Sequence, residues 1–377
     1  MWYSRYYEKA MATSLFKKGK VTLFYGARRV GKTAMLLKYL NEHSGKVFQG
    51  SGDDIDLSNI LSSREGSRIL AAFGNYDVVF IDEAQQISGI GLSLKILIDN
   101  SPELIVIATG SSAFDLANAV GEPLTGRSFT FHLYALSMLE IAQQFGNFEV
   151  LKNVDNYLIY GTYPEVLKAA NSGEKVEYLT TLRNSYLFKD ILVLDSIRNS
   201  GKLIDLLRLI AFQIGHEVSL NELANQLGIA KQTVYRYLDL LEKTFIIKKV
   251  GGFSRNLRKE VNKSHRYYFY DNGVRNAVIN NFNPMELRND KGMLWENFLF
   301  MERLKRQSYK QIYSNVYFWR TYDKKELDLV EERGGKLYGF EFKYGTKKVK
   351  PPKAWVDTYD NATWEVVNKE NFLDFVL

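Results

Sequence analysis

The sequence predicts an α/β protein with a parallel sheet in its first half and a second, more basic α/β region behind it. Three observations carry this expectation. Apolar, β-favouring runs at 21–25, 76–81 and 103–108 alternate with helix-periodic segments, as in a parallel sheet buried on both faces. Each run stops at glycine or polar residues, where such sheets gather ligand-binding groups. Further on, two alternating segments flank Gly334-Gly335, the mark of a hairpin. With 377 residues and roughly 150 per domain, two or three domains are expected.

The run 21–25 leads into Gly26-Ala27-Arg28-Arg29-Val30-Gly31-Lys32-Thr33 and then a helical pattern over 34–40. Strand, glycine loop and helix form the context a phosphate-binding loop needs. The N–H groups of 26–33 point inward at phosphates and the helix N-terminus adds its dipole. Lys32 reaches the β- and γ-phosphates, and Thr33 ligates Mg²⁺. The run 76–81 ends in Asp82-Glu83, with Asp82 expected in the Mg²⁺ shell and Glu83 polarising the attacking water. A helix N-cap explains one of these carboxylates, but not the recurrence of the pair with an upstream glycine loop.

The run 103–108 ends in Thr109-Gly110-Ser111-Ser112. One of its hydroxyls is a candidate sensor of the γ-phosphate, with capping of the next helix as the alternative. Arg127, before a strand at 128–133, is a candidate to stabilise phosphoryl charge in its own subunit or a neighbour; a structural ion pair is the alternative. Residues 1–150 thus read as an ATP- and Mg²⁺-binding domain with Lys32, Glu83 and Arg127 as catalytic candidates.

Residues 151–200 are helical in pattern, broken at Tyr160-Gly-Thr-Tyr-Pro164, and are expected to form a helical lid or linker. Within 201–275, Ser219 and Glu222 make a capping box, Gly228 stops the helix, and 231–241 starts a second amphipathic one. This is a helix-turn-helix pattern. Strands at 245–250 and 267–270 supply a wing. Lys231, Gln232, Thr233, Tyr235 and Arg236 line the second helix, Gln232 suited to base edges and the others to phosphate. Lys248, Lys249, Arg255, Arg258, Lys259, Lys263 and Arg266 against Glu260 alone give the wing a positive field. Double-stranded DNA is the candidate partner, and protein or inter-domain contact is the alternative.

Residues 276–377 start with an apolar helix carrying Glu296, followed by a strand at 316–320 and the hairpin. A two-residue turn at Gly334-Gly335 sets Asp328 opposite Glu341 and Glu326 opposite Lys343 on one side. Leu327, Leu329, Phe340 and Phe342 take the other. Glu326 and Lys343 read as a cross-strand ion pair. Asp328 against Glu341 destabilises the hairpin unless a cation lies between them, which makes both candidate metal ligands. The basic loop 347–353 reads as a solvated turn, with nucleic-acid contact as the alternative.

The motifs at 26–33, 79–85, 109–112, 124–127, 133–137 and 160–164 resemble those of prokaryotic AAA-type P-loop ATPases. In those proteins an amino-terminal P-loop domain precedes a carboxyl-terminal domain of uncharacterised function. The resemblance covers essentially the whole chain and implies ATP binding and hydrolysis. Ala135 stands where such proteins usually carry proline. Glu296, Asp328, Glu341 and Lys343 likewise resemble the pattern of PD-(D/E)XK nuclease-like domains. That likeness implies a restriction-endonuclease-like α/β fold, carboxylates holding Mg²⁺ or Mn²⁺, and a lysine that orients or deprotonates the attacking water.

Composition sets the outer bounds. The absence of cysteine excludes disulfide scaffolds, thiolate zinc sites and thiol nucleophiles, and the four histidines are scattered. No apolar stretch approaches the roughly 18 residues of a membrane helix, and the amino terminus lacks an apolar leader region, so a cytoplasmic protein without a membrane partner is expected. The net charge of +7 is uneven: residues 1–200 hold 20 basic and 21 acidic side chains, whereas 201–377 hold 30 and 22. The expectation is an ATPase whose nucleotide state controls a winged-helix, nuclease-like half acting on DNA. Its competitor is an ATP-driven switch for protein partners or for another copy of the chain.

Overall fold

The apolar runs of the first half become parallel strands: β1 Val21–Tyr25, β2 Val47–Ser51, β3 Val78–Asp82, β4 Ile105–Gly110 and β5 Ser128–His132. They form one sheet in the order β2-β3-β4-β1-β5, with every pairing parallel. The central β1, β3 and β4 are almost wholly buried, which accounts for their unbroken apolar character. β2 is an edge strand, half-buried and interrupted by Gln49 and Gly50, and does not stand out in the sequence. These coordinates are a computed structural model and describe all residues except 12–15, 112–123, 186–199, 255–264, 322 and 347–348.

The chain divides into two compact units. One comprises Trp2–Ala135 with Lys243–Phe245; the other comprises Leu136–Glu242 and Ile246–Leu377. The helices expected as a lid find their packing partners in the second unit. Asn147–Tyr160 packs on Asn272–Val278, and Asn276 donates its amide to the carbonyls of Leu158 (3.1 Å) and Ile159 (2.7 Å). The Leu-Ser motif before them is a helix start. Ser137 and Glu140 form a reciprocal capping box on Met138–Phe145, which needs no preceding proline.

The second unit contains one seven-stranded sheet made of β6 Glu217–Val218, β7 Ile247–Gly252, β8 His265–Phe269, β9 Asn315–Arg320, β10 Glu326–Arg333, β11 Lys336–Phe342 and β12 Ala362–Val367. Its order is β12-β11-β10-β9-β7-β8-β6. β7 joins β9 in parallel through two residue pairs, Gly251 with Tyr317 and Gly252 with Phe318. The segments 201–275 and 276–377 therefore share a sheet. Helices Ser200–Phe212, Leu220–Leu227 and Lys231–Lys243 precede β7; Ser219 caps the second and Gly228 terminates it.

The hairpin register is the expected one from Leu329 opposite Phe340 to Arg333 opposite Lys336, with Gly334-Gly335 as the turn. Two finer expectations fail. The β9–β10 ladder shifts register between Leu327 and Val330, so those two residues, three apart, enter the same cluster with Leu337, Trp319 and Trp355. Leu327 therefore does not continue an alternating face with Leu329. The anticipated Glu326–Lys343 pair is also replaced: Glu326 meets Arg266 (2.7 Å) and Arg320 (4.0 Å), while Lys343 meets Glu341 (2.5 Å).

Helix Lys291–Tyr309 is the longest among the described helices of the second unit, and most of its residues are buried, charged ones included. Arg303 makes a forked pair with Glu331 (2.5 and 3.0 Å) and donates to the carbonyl of Phe375 (2.8 Å). Lys305 meets Glu302 (2.7 Å), whose other oxygen accepts the N–H of Met138 (2.7 Å). Because Glu331 is completely buried and its other cation, Arg333, lies 3.8 Å away, Arg303→Ala leaves a poorly met charge. We expect it to cost about 3–5 kcal/mol in urea unfolding, whereas Arg333→Ala, half-exposed nearby, costs far less.

Candidate functional site

The glycine loop follows β1 at the carboxyl edge of the sheet. Gly26 passes so close to Leu133 that a Cβ there would lie 2.0 Å from its carbonyl oxygen, so the loop's first turn admits no side chain. Arg29 and Gly31 are left-handed (φ 65° and 99°), and helix Lys32–Asn41 follows at once. Ala27 and Val30 are buried, Arg28 is half-buried and Arg29 is exposed. Lys32 is 5% exposed and donates to the carbonyls of Gly26 (2.9 Å) and Ala27 (3.1 Å), folding its ammonium back across the loop.

The loop is braced by a residue the motifs do not include. Arg5, buried, donates to the carbonyl of Val30 within the loop (2.5 Å) and to that of Tyr134 (2.6 Å). An arginine so far upstream leaves no spacing signal in the sequence.

A chain of oxygens connects the loop to β3 and β4. Thr33 Oγ1 donates to Asp82 Oδ2 (2.8 Å), and the Thr109 hydroxyl donates to Asp82 Oδ1 while accepting the N–H of Glu83 (3.1 Å). Thr33 and Asp82 thus lie side by side, hard oxygen donors that fit Mg²⁺. Glu83 has φ 47°, a conformation that costs a non-glycine residue roughly 1–2 kcal/mol. The kink turns its carboxylate toward Gln85 Nε2 (2.5 Å) and Ser111 Oγ (3.1 Å), both of which donate to Oε2. Ser111 therefore contacts Glu83, and Thr109 is the hydroxyl on Asp82. Ser112 lies outside the described residues. Gln85, part of the Asp-Glu-Ala-Gln motif, is a further site residue whose role was not anticipated.

Arg127 is placed differently from its expected catalytic position. It precedes β5, whose Ser128 pairs with Val21 at the start of β1, whereas the glycine loop follows Tyr25 at the strand's end. A five-residue strand separates the two edges by roughly 15 Å, too far for a role at the nucleotide site of its own subunit. Arg127 instead pairs with Asp99 (2.9 Å), both partly exposed, which matches the ion-pair alternative.

The carboxyl-terminal candidates do converge. Tyr268 donates its hydroxyl to Glu296 (2.7 Å), and Asp328 accepts the N–H of Phe342 (2.7 Å). Burial, then the Glu341 charge, pushes the Asp328 carboxyl up to about 7; burial, then Asp328, holds Glu296 well above the usual range. The cation between them belongs to the chain. Arg266 Nη1 lies 3.5 Å from Glu296 and 3.7 Å from Asp328, and Nη2 lies 2.7 Å from Glu326. Among the described residues no group of three or more His, Asp or Glu side chains has the geometry to hold a metal ion. The donor set at Asp328 and Glu341 does not fit the implied Mg²⁺, because each already has a cation of the chain beside it, Arg266 at Asp328 and Lys343 at Glu341.

The candidate contacts on helix Lys231–Lys243 differ in exposure. Lys231, Gln232, Tyr235 and Arg236 are exposed, Thr233 is half-buried, and Val234, Tyr237 and Leu238 turn inward. Two of the basic residues expected in a wing are engaged within the chain. Arg266 is buried in the carboxylate cluster and Lys248 pairs with Glu242 (3.0 Å). Arg255 and Arg258, with Lys259 and Lys263, lie outside the described residues.

Loop, acidic strand end and parallel sheet give the amino-terminal unit the architecture of a P-loop ATPase domain. Residues 18–142 match the family model of an AAA domain. Residues 151–285 and 291–370 match two domains of unknown function, DUF8612 and DUF4143. An uncharacterised protein of Mycobacterium tuberculosis is 26% identical over 330 residues, covering 86% of this chain and 70% of that protein. One of Methanocaldococcus jannaschii is 25% identical over 307 residues, covering 76% and 67%. A Walker-type ATPase of Pyrococcus abyssi is similar in structure, with TM-score 0.49 and 19% identity over 74% of this chain and 96% of that one. No described helix is long and apolar enough to cross a membrane.

Burial pushes the Lys32 ammonium down to about 8, against the charges of Glu83 and Asp82, which act upward. A bound triphosphate restores anionic charge beside it and raises it again. Above pH of about 8 the complex then holds more protons than the free protein. Nucleotide affinity is expected to fall as pH rises from about 8 toward the ordinary lysine value near 10. Calorimetry in buffers of different ionisation enthalpy should record proton uptake on binding in that window and none well below it.

Proposed function

We propose that this protein binds and hydrolyses ATP with Mg²⁺ and couples nucleotide state to a DNA-binding second unit. The observation that carries the first part is the linked set Thr33, Asp82, Thr109 and Glu83 beside a buried Lys32. Lys32 exchanges its two loop carbonyls for β- and γ-phosphate oxygens. Thr33 and Asp82 hold Mg²⁺, which, when bound, neutralises charge on the phosphates. Glu83 orients the attacking water once its carboxylate leaves Gln85 and Ser111. The N–H groups of 26–33 receive the phosphates, and Arg5 keeps the Val30 peptide in position for them.

For the second unit we propose a winged helix-turn-helix over 200–269, continued by a restriction-endonuclease-like layer in β9–β12 and helix Lys291–Tyr309. The helix order, the β6-β8-β7 antiparallel set and the exposed Lys231, Gln232, Tyr235 and Arg236 support double-stranded DNA as its partner. The competing reading, a switch for a protein partner or a second copy, draws on the internal use of Lys248 and Arg266, which lowers the charge left for phosphate.

Lys32→Ala is expected to abolish nucleotide binding in a fluorescent-nucleotide titration. Glu83→Gln should keep binding but lower turnover at least a hundredfold; normal turnover in that variant would sink the assignment. For DNA, anisotropy across a salt series should give a steep negative slope, reduced by about one unit in Lys231→Ala and in Arg236→Ala. No binding at low ionic strength would favour the protein-partner reading.

A further inference from the structure

Of the charged groups in the second unit, the cluster around Arg266 departs furthest from what its residue types imply. Four of its members, Glu296, Asp328, Glu341 and Lys343, come from a helix and two strands in the arrangement of a metal-dependent nuclease. The position between the carboxylates is nevertheless taken. Arg266 is 2% exposed, and one of its nitrogens is within 3.7 Å of both Glu296 and Asp328. Its other terminal nitrogen binds Glu326 at 2.7 Å, and its guanidinium lies over the Phe318 ring, 4.5 Å from the centroid.

Three elements keep it there. On β8, Arg266 and Tyr268 lie two residues apart on one side of the strand, and both address Glu296. Tyr268 is itself clamped by Phe300 in a parallel stack at 4.0 Å. The backbone of Gly215 closes over Glu296, since a Cβ there would lie 2.6 Å from Oε1. Lys343, the remaining cation, is engaged with Glu341. A divalent ion would have to displace a buried guanidinium from three carboxylates, and like charges so close exclude both being held together.

We propose that Arg266 is the resident cation of this cluster, occupying the place where a nuclease holds its metal. The cluster then serves as an ionic clasp between the β7–β8 hairpin, helix Lys291–Tyr309 and β10, and the second unit does not cut DNA. This reaches past the ATPase and DNA-binding readings and depends on neither.

The test uses the full-length, nucleotide-free protein with Mn²⁺ as probe, so the P-loop assignment does not enter. Electron paramagnetic resonance titration of the wild type should give the same Mn²⁺ stoichiometry as Asp328→Asn, and supercoiled plasmid should stay unnicked with Mg²⁺ or Mn²⁺. Arg266→Ala should gain about one Mn²⁺ per chain. The double variant Arg266→Ala/Asp328→Asn should lose it again. Mg²⁺ should raise the melting temperature of Arg266→Ala but not that of the wild type. A wild-type Mn²⁺ site removed by Asp328→Asn, metal-dependent nicking lost in Asp328→Asn, or a folded Arg266→Ala that gains no Mn²⁺ each overturns the proposal. Should Arg266→Ala fail to fold, the wild-type and Asp328→Asn measurements decide it alone.

Discussion

An ion taken out of water must be met where it comes to rest, and this requirement organises both units of the protein. Among the described residues of the second unit, the buried arginines and Lys305 each meet a carboxylate. Arg303 meets Glu331, Arg275 and Arg288 share Asp290, and Arg266 draws together Glu296, Asp328 and Glu326. The Arg303 and Arg266 pairings join elements that strand ladders alone leave loosely tied, since β7 meets β9 through two residue pairs. The specificity of the fold here is ionic as much as hydrophobic. Removing one partner is costly because the other remains buried.

Lys32, in the first unit, is met differently. Its nearest partners are two backbone carbonyls, and burial outweighs the charges of Asp82 and Glu83, which is why its ammonium is pushed down rather than up. A cation matched by dipoles alone is poised to accept an anion, whereas a cation matched by carboxylates is not. The same physical criterion therefore separates the two clusters. A cation left short of carboxylate partners marks a place for phosphate, and one held by carboxylates from several elements marks a place that ties the fold together.

The parts legible in the sequence were those whose chemistry is local. The glycine loop, the Asp82-Glu83 pair and the two-residue turn at Gly334-Gly335 each depend on residues within a few positions of one another, and the register from Leu329 opposite Phe340 follows from the turn. The edge strand β2 escaped because half-burial blurs its pattern, and β12 because its half-buried positions alternate with exposed ones that include charged Glu365. Arg5 and Arg266 escaped because arginine is exposed by default, and nothing in spacing tells which few are turned inward. Arg127 could have been placed: a residue that precedes a parallel strand lies at the opposite edge from one that follows it.

The carboxylate cluster illustrates how little a motif fixes when it is read alone. The acids fall at the expected positions on helix and strands, and the inference that like charges there require a cation was sound physics. What the motif could not specify was which cation. Asp328 and Glu296 lie against Arg266, brought in by a hairpin some sixty residues upstream of Asp328 in the chain. The demand for positive charge is met by covalent structure, so it no longer needs an ion from solvent. The β9–β12 layer can then persist for its packing, with Trp319, Leu327 and Trp355 in its apolar cluster and the Arg266 contacts among its charges, whatever reaction the chain performs elsewhere.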